Sequence, residues 1–168
     1  MNLSNGGIIS VVDLWSVNGA LRGADKAVET ETVFGGRKVN SVVAGSPSAT
    51  RLRNPAGSGL VLLVDKITVI PAVTEVFNMS FDITTTWADS ENGFNYNLGG
   101  AGSVGVMERN AVAFTASPVF LRPGTANEPF SFTLELPLLL NAGDVIGVYN
   151  STNTATFTTE FLWREYAL

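Results

Sequence analysis

Three stretches of the chain alternate apolar and polar residues. Phe77, Met79, Phe81 and Ile83 share one parity, as do Phe130, Phe132, Leu134 and Leu136, and Phe157, Phe161 and Trp163. Successive side chains of a β-strand point to opposite faces, so a period of two places each set on a single wall. Asn78, Ser80, Asp82 and Thr84 fall on the opposite wall of the first stretch. Ser131, Thr133 and Glu135 do so in the second, and Thr156, Thr158 and Glu160 in the third. These are half-buried antiparallel strands. By the same parity Trp87 extends the inward row of Phe77, and Trp163 is the last inward anchor of its strand, with Arg164 turned the other way.

Turn chemistry divides the rest. Ala49 to Arg53 reads as a short strand, stopped by Asn54-Pro55-Ala56-Gly57-Ser58-Gly59, where proline fixes φ and glycine permits positive φ. Leu60 to Ile70 carries apolar residues on both parities, which implies burial on both faces over its first half, and Pro71 ends it. Thr74 to Trp87 follows as a strand, then Ala88 to Gly93 as a polar loop. Further strands are predicted at Ser103 to Met107, Ala111 to Ala116, Val119 to Arg122, Phe130 to Leu136, Val145 to Tyr149 and Thr154 to Glu165. Pro123-Gly124 and Asn141 to Asp144 read as turns, and Gly99 to Gly102 as a glycine-rich break. Eight or nine such strands predict an all-β, two-sheet antiparallel β-sandwich of jelly-roll type over residues 48–168. Before it, Asn5-Gly6-Gly7, Asn18-Gly19, Gly23 and Gly35-Gly36 recur too often for a long periodic element. Residues 1–47 therefore read as an irregular N-terminal arm that anchors to a partner, with a short helix over Ala20 to Thr30. Thr30 to Phe34 and Lys38 to Val43 read alternatively as edge strands of the sandwich.

Composition narrows the chemistry. At 168 residues the chain suits one domain, and it has no histidine and no cysteine. Disulfides, thiolate nucleophiles, Ser-His-Asp catalysis, His-ligated zinc and imidazole pH switches are thereby excluded. Only 15% of residues are charged, against roughly 25% in an average soluble domain. Either a neighbouring subunit covers part of the surface, or a Ser/Thr/Asn-rich surface lowers the charge unaided. Residues 1–53 hold six basic and four acidic side chains, a net +2, and the remainder has a net −7. No strand gathers Lys and Arg with interleaved aromatics, so a nucleic-acid interface is not expected. The longest strongly apolar run, Leu60 to Val64, is far short of a membrane span. The first residues lack a basic leader and are interrupted by Asp13, which favours cytosolic synthesis followed by assembly. No cofactor motif is present: Gly-x-Gly elements lack a βαβ context or a Walker lysine, and Asp89 to Gly93 does not match an EF-hand spacing.

Carboxylates are the remaining catalytic resource. Asp82, Asp89 and Glu91, near Trp87 and Tyr96, could in principle form a glycosidase pair, which needs one raised-pKa acid and one ionised partner. Solvent-facing strand and loop positions are the simpler reading. The same region has the chemistry of a glycan site, with Trp87 and Tyr96 to stack on a sugar and Asp89, Asn92 and Asn95 to fix its hydroxyls.

Two segments carry a resemblance. Ala49 to Gly59 leading into Leu60-Val61-Leu62-Leu63-Val64-Asp65-Lys66-Ile67 resembles the opening strands of small jelly-roll virion proteins of tailed bacteriophages. Leu138-Leu139-Leu140-Asn141-Ala142-Gly143-Asp144, with the ending Phe161-Leu162-Trp163-Arg164-Glu165, resembles the close of the same group. The likeness spans residues 48–168 and carries over no catalytic residue. It implies a capsid decoration (cement), head-fibre or tail-associated protein, located in the virion and often a homotrimer. Its partners would be the major capsid protein or other virion proteins.

Overall fold

The computed structural model describes residues 33–40, 47–95, 102–110, 114–132, 137–151 and 155–167. They hold twelve strands and no helix: β1 (Val33–Val39), β2 (Ala49–Arg53), β3 (Leu60–Pro71), β4 (Glu75–Ser80), β5 (Trp87–Asn92), β6 (Phe94–Asn95), β7 (Val106–Asn110), β8 (Phe120–Gly124), β9 (Phe130–Phe132), β10 (Leu138–Leu140), β11 (Val145–Asn150) and β12 (Phe157–Ala167). One sheet runs β10-β3-β12-β1-β6, with β9 also on β3, and the other runs β5-β7-β2-β11-β4-β8. Every pairing is antiparallel. The expected two-sheet sandwich is present.

Its interior follows from the alternation. Phe157, Phe161 and Trp163 of β12, Leu62, Val64, Ile67 and Val69 of β3, and Phe34 of β1 face Leu52, Phe77, Met79, Met107, Ile146 and Val148 of the second sheet. Each such side chain removed from water contributes on the order of 1.5–3 kcal/mol. In the middle of this apolar layer, Thr50 Oγ1 and Thr159 Oγ1 hydrogen-bond at 2.8 Å from opposite sheets. Both are buried, and each satisfies the other.

The turn between β2 and β3 forms as its residues dictate: Gly57 and Gly59 take φ of 79° and 69°, a region that opposes any Cβ. Asn54, fully buried, ties this turn to the one between β10 and β11. Its Nδ2 donates to Leu60 O at 2.8 Å and Leu140 O at 3.0 Å, while Gly143 N donates to Asn54 O at 2.9 Å. The Asn54–Gly59 and Leu138–Asp144 segments are thus packed together.

Several details differ from the sequence reading. The first half of β3 is covered on both parities as expected, with Val61 buried beside Leu62 and Val64 and Leu63 half-buried, and the difference lies further along. The β3–β12 register slips at Asp65, so the inward set changes from Leu62 and Val64 to Ile67 and Val69. A one-residue bulge reverses which parity faces the core. The first alternating stretch ends at Ser80, not Trp87. Beyond it Phe81 is exposed, and Ile83 is buried on the outward side of the second sheet, against Gly147. Segments 81–86 and 114–118, bridged at Thr84 and Thr115, leave Asn78 and Ser80 buried instead of facing water. Ala88 to Asn92 is strand β5, not a loop, and Pro123-Gly124 closes β8, paired with Val76 and Glu75. Gly35-Gly36 is not a turn but lies inside β1, which pairs β12 over seven residues and β6 on its other side. The compact unit accordingly begins at Val33, and β1 is an interior strand drawn from the stretch read as arm. The helix expected over Ala20 to Thr30, residues 41–43, 99–101 and 111–113, Leu134 and Leu136 lie outside the described residues.

Candidate interaction surfaces

At one end of the sandwich Trp163 sits fully buried in a slot with glycine walls. A Cβ at Gly93 would fall 2.2 Å from the indole, and one at Gly105 would fall 2.9 Å from it. Phe34 stacks on the ring at a centroid distance of 6.4 Å. Glu165 shares the inward parity of Trp163, and its Oε1 accepts from Trp163 Nε1 at 3.1 Å, Val104 N at 3.0 Å, Gly105 N at 3.2 Å and Ser103 Oγ. A carboxylate so placed joins β12 to the segment leading into β7. Arg164, on the outer face, forms a bidentate pair with Asp65 at 2.7 and 2.9 Å. Trp163 is the inward anchor that its parity implies, and Glu165 belongs to the core end with it.

On the outward side of the second sheet, β2 and β7 set Arg51 opposite Glu108. Glu108 accepts from Arg51 Nε at 2.6 Å, Ser90 Oγ at 2.8 Å and Arg53 Nε and Nη2 at 3.3 Å. Burial pushes its carboxyl up, but hydrogen bonds from Arg53, Ser90 and Arg51 and the charge of Arg51 outweigh burial and hold it below the usual carboxylate value. Burial likewise lowers the Arg51 guanidinium, against the pull of Glu108. The guanidinium lies 4.1 Å from the centroid of Trp87. This tryptophan is therefore half-buried on the outer face under Arg51, and does not extend the core row.

The edge strand β8 has a different character. Val119, Phe120 and Leu121 are consecutive and exposed, at 51, 53 and 66%. Pro118 and Pro123 bracket them, as prolines do on sheet edges where no ladder partner is needed. Arg122 folds back over Phe130 and donates to Ser131 O, linking this edge to β9 of the other sheet. Nearby positions extend the apolar character. Phe81 lies just past β4, the strand that pairs β8, and it lines a cavity of about 330 Å³ with the exposed Leu139 of β10. Asp82, beside it, accepts from Ser80 Oγ at 2.5 Å and Ser117 N at 2.8 Å. These bonds, Ser80 first, hold its carboxyl below the ordinary value.

The carboxylate trio is not gathered into one site by the described geometry. Asp82 is engaged at the end of β4, Glu91 on β5 pairs Lys38 of β1 at 3.1 Å, and β7, β2 and β11 lie between β4 and β5. Of the residues with glycan-binding chemistry, Trp87 has its ring covered by Arg51. Asn92 donates to Ser103 O at 2.8 Å. The side chains of Asp89 and Asn95, and Tyr96 altogether, lie outside the described residues. The exposed triplet from Val119 to Leu121, at the start of β8, was legible as a strand but not as a surface; its bracketing prolines were the available signal. No family model, curated protein or solved structure matches the chain.

Proposed function

We propose that the chain is a non-enzymatic structural subunit of a phage virion, decorating or stabilising the particle as a homo-oligomer, with a trimer favoured. The observation that carries this reading is the β8 edge. Three consecutive exposed apolar side chains along a sheet edge are an assembly liability unless another surface covers them. The low charged fraction points the same way, as does the packing of the two family-like segments against each other through Asn54. A closed cyclic arrangement would bury such an edge and leave no open row. The β1 strand is part of the sandwich, so the anchoring role falls to residues before Val33. A glycan-binding module centred on Trp87 gains no support from a ring covered by Arg51.

The test is immunogold labelling of purified virions produced together with the chain, combined with light scattering of the purified protein. Regularly spaced label and an oligomeric mass are expected. A monomer that stays with the unassembled lysate fraction overturns the reading.

A further inference from the structure

We propose that Asn92-Gly93 is a latent deamidation site, which the segment from Ser103 to Gly105 holds closed and whose reaction makes an opening of the Trp163 slot irreversible. The dipeptide is the corner at which the chain passes from β5 of one sheet to β6 of the other. Asparagine is among the thermolabile residues, and a glycine after it favours reaction, because no Cβ shields the next backbone nitrogen. Packing dictates that glycine: a Cβ at position 93 would fall 2.2 Å from the Trp163 indole. The slot thus requires the very residue that makes Asn92 labile.

In the reaction Gly93 N attacks Asn92 Cγ. The new N–Cγ bond closes a succinimide ring, the Cγ–Nδ2 bond breaks, and the proton of Gly93 N leaves with Nδ2 as ammonia. Water then opens either carbonyl of the ring. One product is aspartate, and the other is isoaspartate, whose main chain is longer by a methylene.

The fold engages both reacting groups. Gly93 N, the nucleophile, donates to Gly105 O at 3.0 Å, and Asn92 Nδ2, the leaving group, donates to Ser103 O at 2.8 Å. Both acceptors belong to one short segment, and Glu165 clamps it through Ser103 Oγ, Val104 N and Gly105 N. Asn92 is itself exposed, so water reaches it and these hydrogen bonds are what restrain the reaction.

Reaction therefore follows opening, and its products oppose reclosure. Aspartate at position 92 replaces the donor to Ser103 O with a carboxylate that this carbonyl repels. Isoaspartate lengthens the corner and displaces Gly93 from the indole. A chain that opens here is marked and loosened, whereas one that stays closed is not.

Peptide mapping by mass spectrometry, on the full chain incubated in mildly alkaline buffer over a series of guanidinium concentrations, tests this. Modification through an opened state scales with the population of that state, so Asn92 should convert at least about tenfold more slowly in the folded chain than in the unfolded one. Below the unfolding transition, its rate should rise in parallel with hydrogen exchange of the Gly93 amide. Glu165→Ala should raise the rate severalfold in buffer alone, and should that variant not fold, the guanidinium series decides. Asn92→Asp should lower the Tm and the protection of the Gly93 amide. Equal rates in the folded and unfolded chains, or a rate that does not follow Gly93 exchange, overturn the proposal. Deamidated chains that keep the Tm of the unmodified protein overturn the irreversibility.

Discussion

The indole of Trp163 occupies the space a side chain on Gly93 would need: a Cβ there would lie 2.2 Å from Cζ2 and 2.3 Å from Cη2. Gly93 N donates to Gly105 O at 3.0 Å, so the two glycine walls of the slot are bonded to each other. The tryptophan is thereby gripped by backbone, which cannot move aside as a flexible side chain would.

Gly93→Ala should accordingly destabilise the fold by about 1–3 kcal/mol, the usual cost of forcing extra volume into a packed interior. Gly102→Ala, where an added Cβ meets nothing within 4 Å, should stay within about 0.5 kcal/mol. Urea unfolding followed by tryptophan fluorescence distinguishes the two.

Glu165 is expected to matter more than its half-buried position suggests. Glu165→Ala removes an acceptor shared by Trp163 Nε1, Val104 N and Gly105 N. A loss of about 2–3 kcal/mol follows from hydrogen bonds to a charged group. Native-state hydrogen exchange should show the amides of Val104 and Gly105 losing protection first. Unchanged exchange at both would refute the clamp.

Much of the fold was legible, and the exceptions share a cause. The turn that carries the chain from β2 to β3, and so from one sheet to the other, could be read because Pro55, Gly57 and Gly59 fix it locally. Strand β5 could not, because Ser90, Glu91 and Asn92 show no apolar alternation. Their partners are Glu108, Lys38 and Ser103, distant in sequence and set by pairing. Gly36 looked like a turn residue because its actual constraint is remote: a Cβ there would fall 1.9 Å from Met107 Cε.

Acid should weaken the protein through Glu108. Its folded pKa is depressed below the ordinary 4.5. A carboxylate of this kind contributes stability above its unfolded pKa and loses it as pH falls through the folded value. The Tm should be flat from neutrality down to about pH 5 and decline below it. Glu108→Gln should cost about 2 kcal/mol at pH 7 and show a shallower acid decline. A decline as steep as that of the wild type would assign acid sensitivity to other groups.

Leu121→Lys should dissociate the proposed oligomer without harming the fold. The side chain is 66% exposed, so the change in stability should remain within about 0.5 kcal/mol. Light scattering at several concentrations is the measurement, and an unaltered mass would remove β8 from the interface.

Two truncations separate the unit boundary from the arm reading. Removing residues 1–32 retains all of β1 and should leave a cooperative unfolding transition. Removing residues 1–47 deletes Phe34, which stacks on Trp163, and the seven-residue pairing with β12. That variant should lose more than about 3 kcal/mol, the cost of deleting one buried aromatic. Equal stability of the two by chemical denaturation would return the boundary to residue 48.

The strand order also dictates when the chain can fold during its synthesis. In one sheet β12 runs between β3 and β1, and in the other β11 runs between β2 and β4, so residues 145–167 supply an interior strand to each sheet. A nascent chain still lacking them has an open seam in each sheet, so the apolar rows of β3 and β4 stay partly uncovered until those residues emerge.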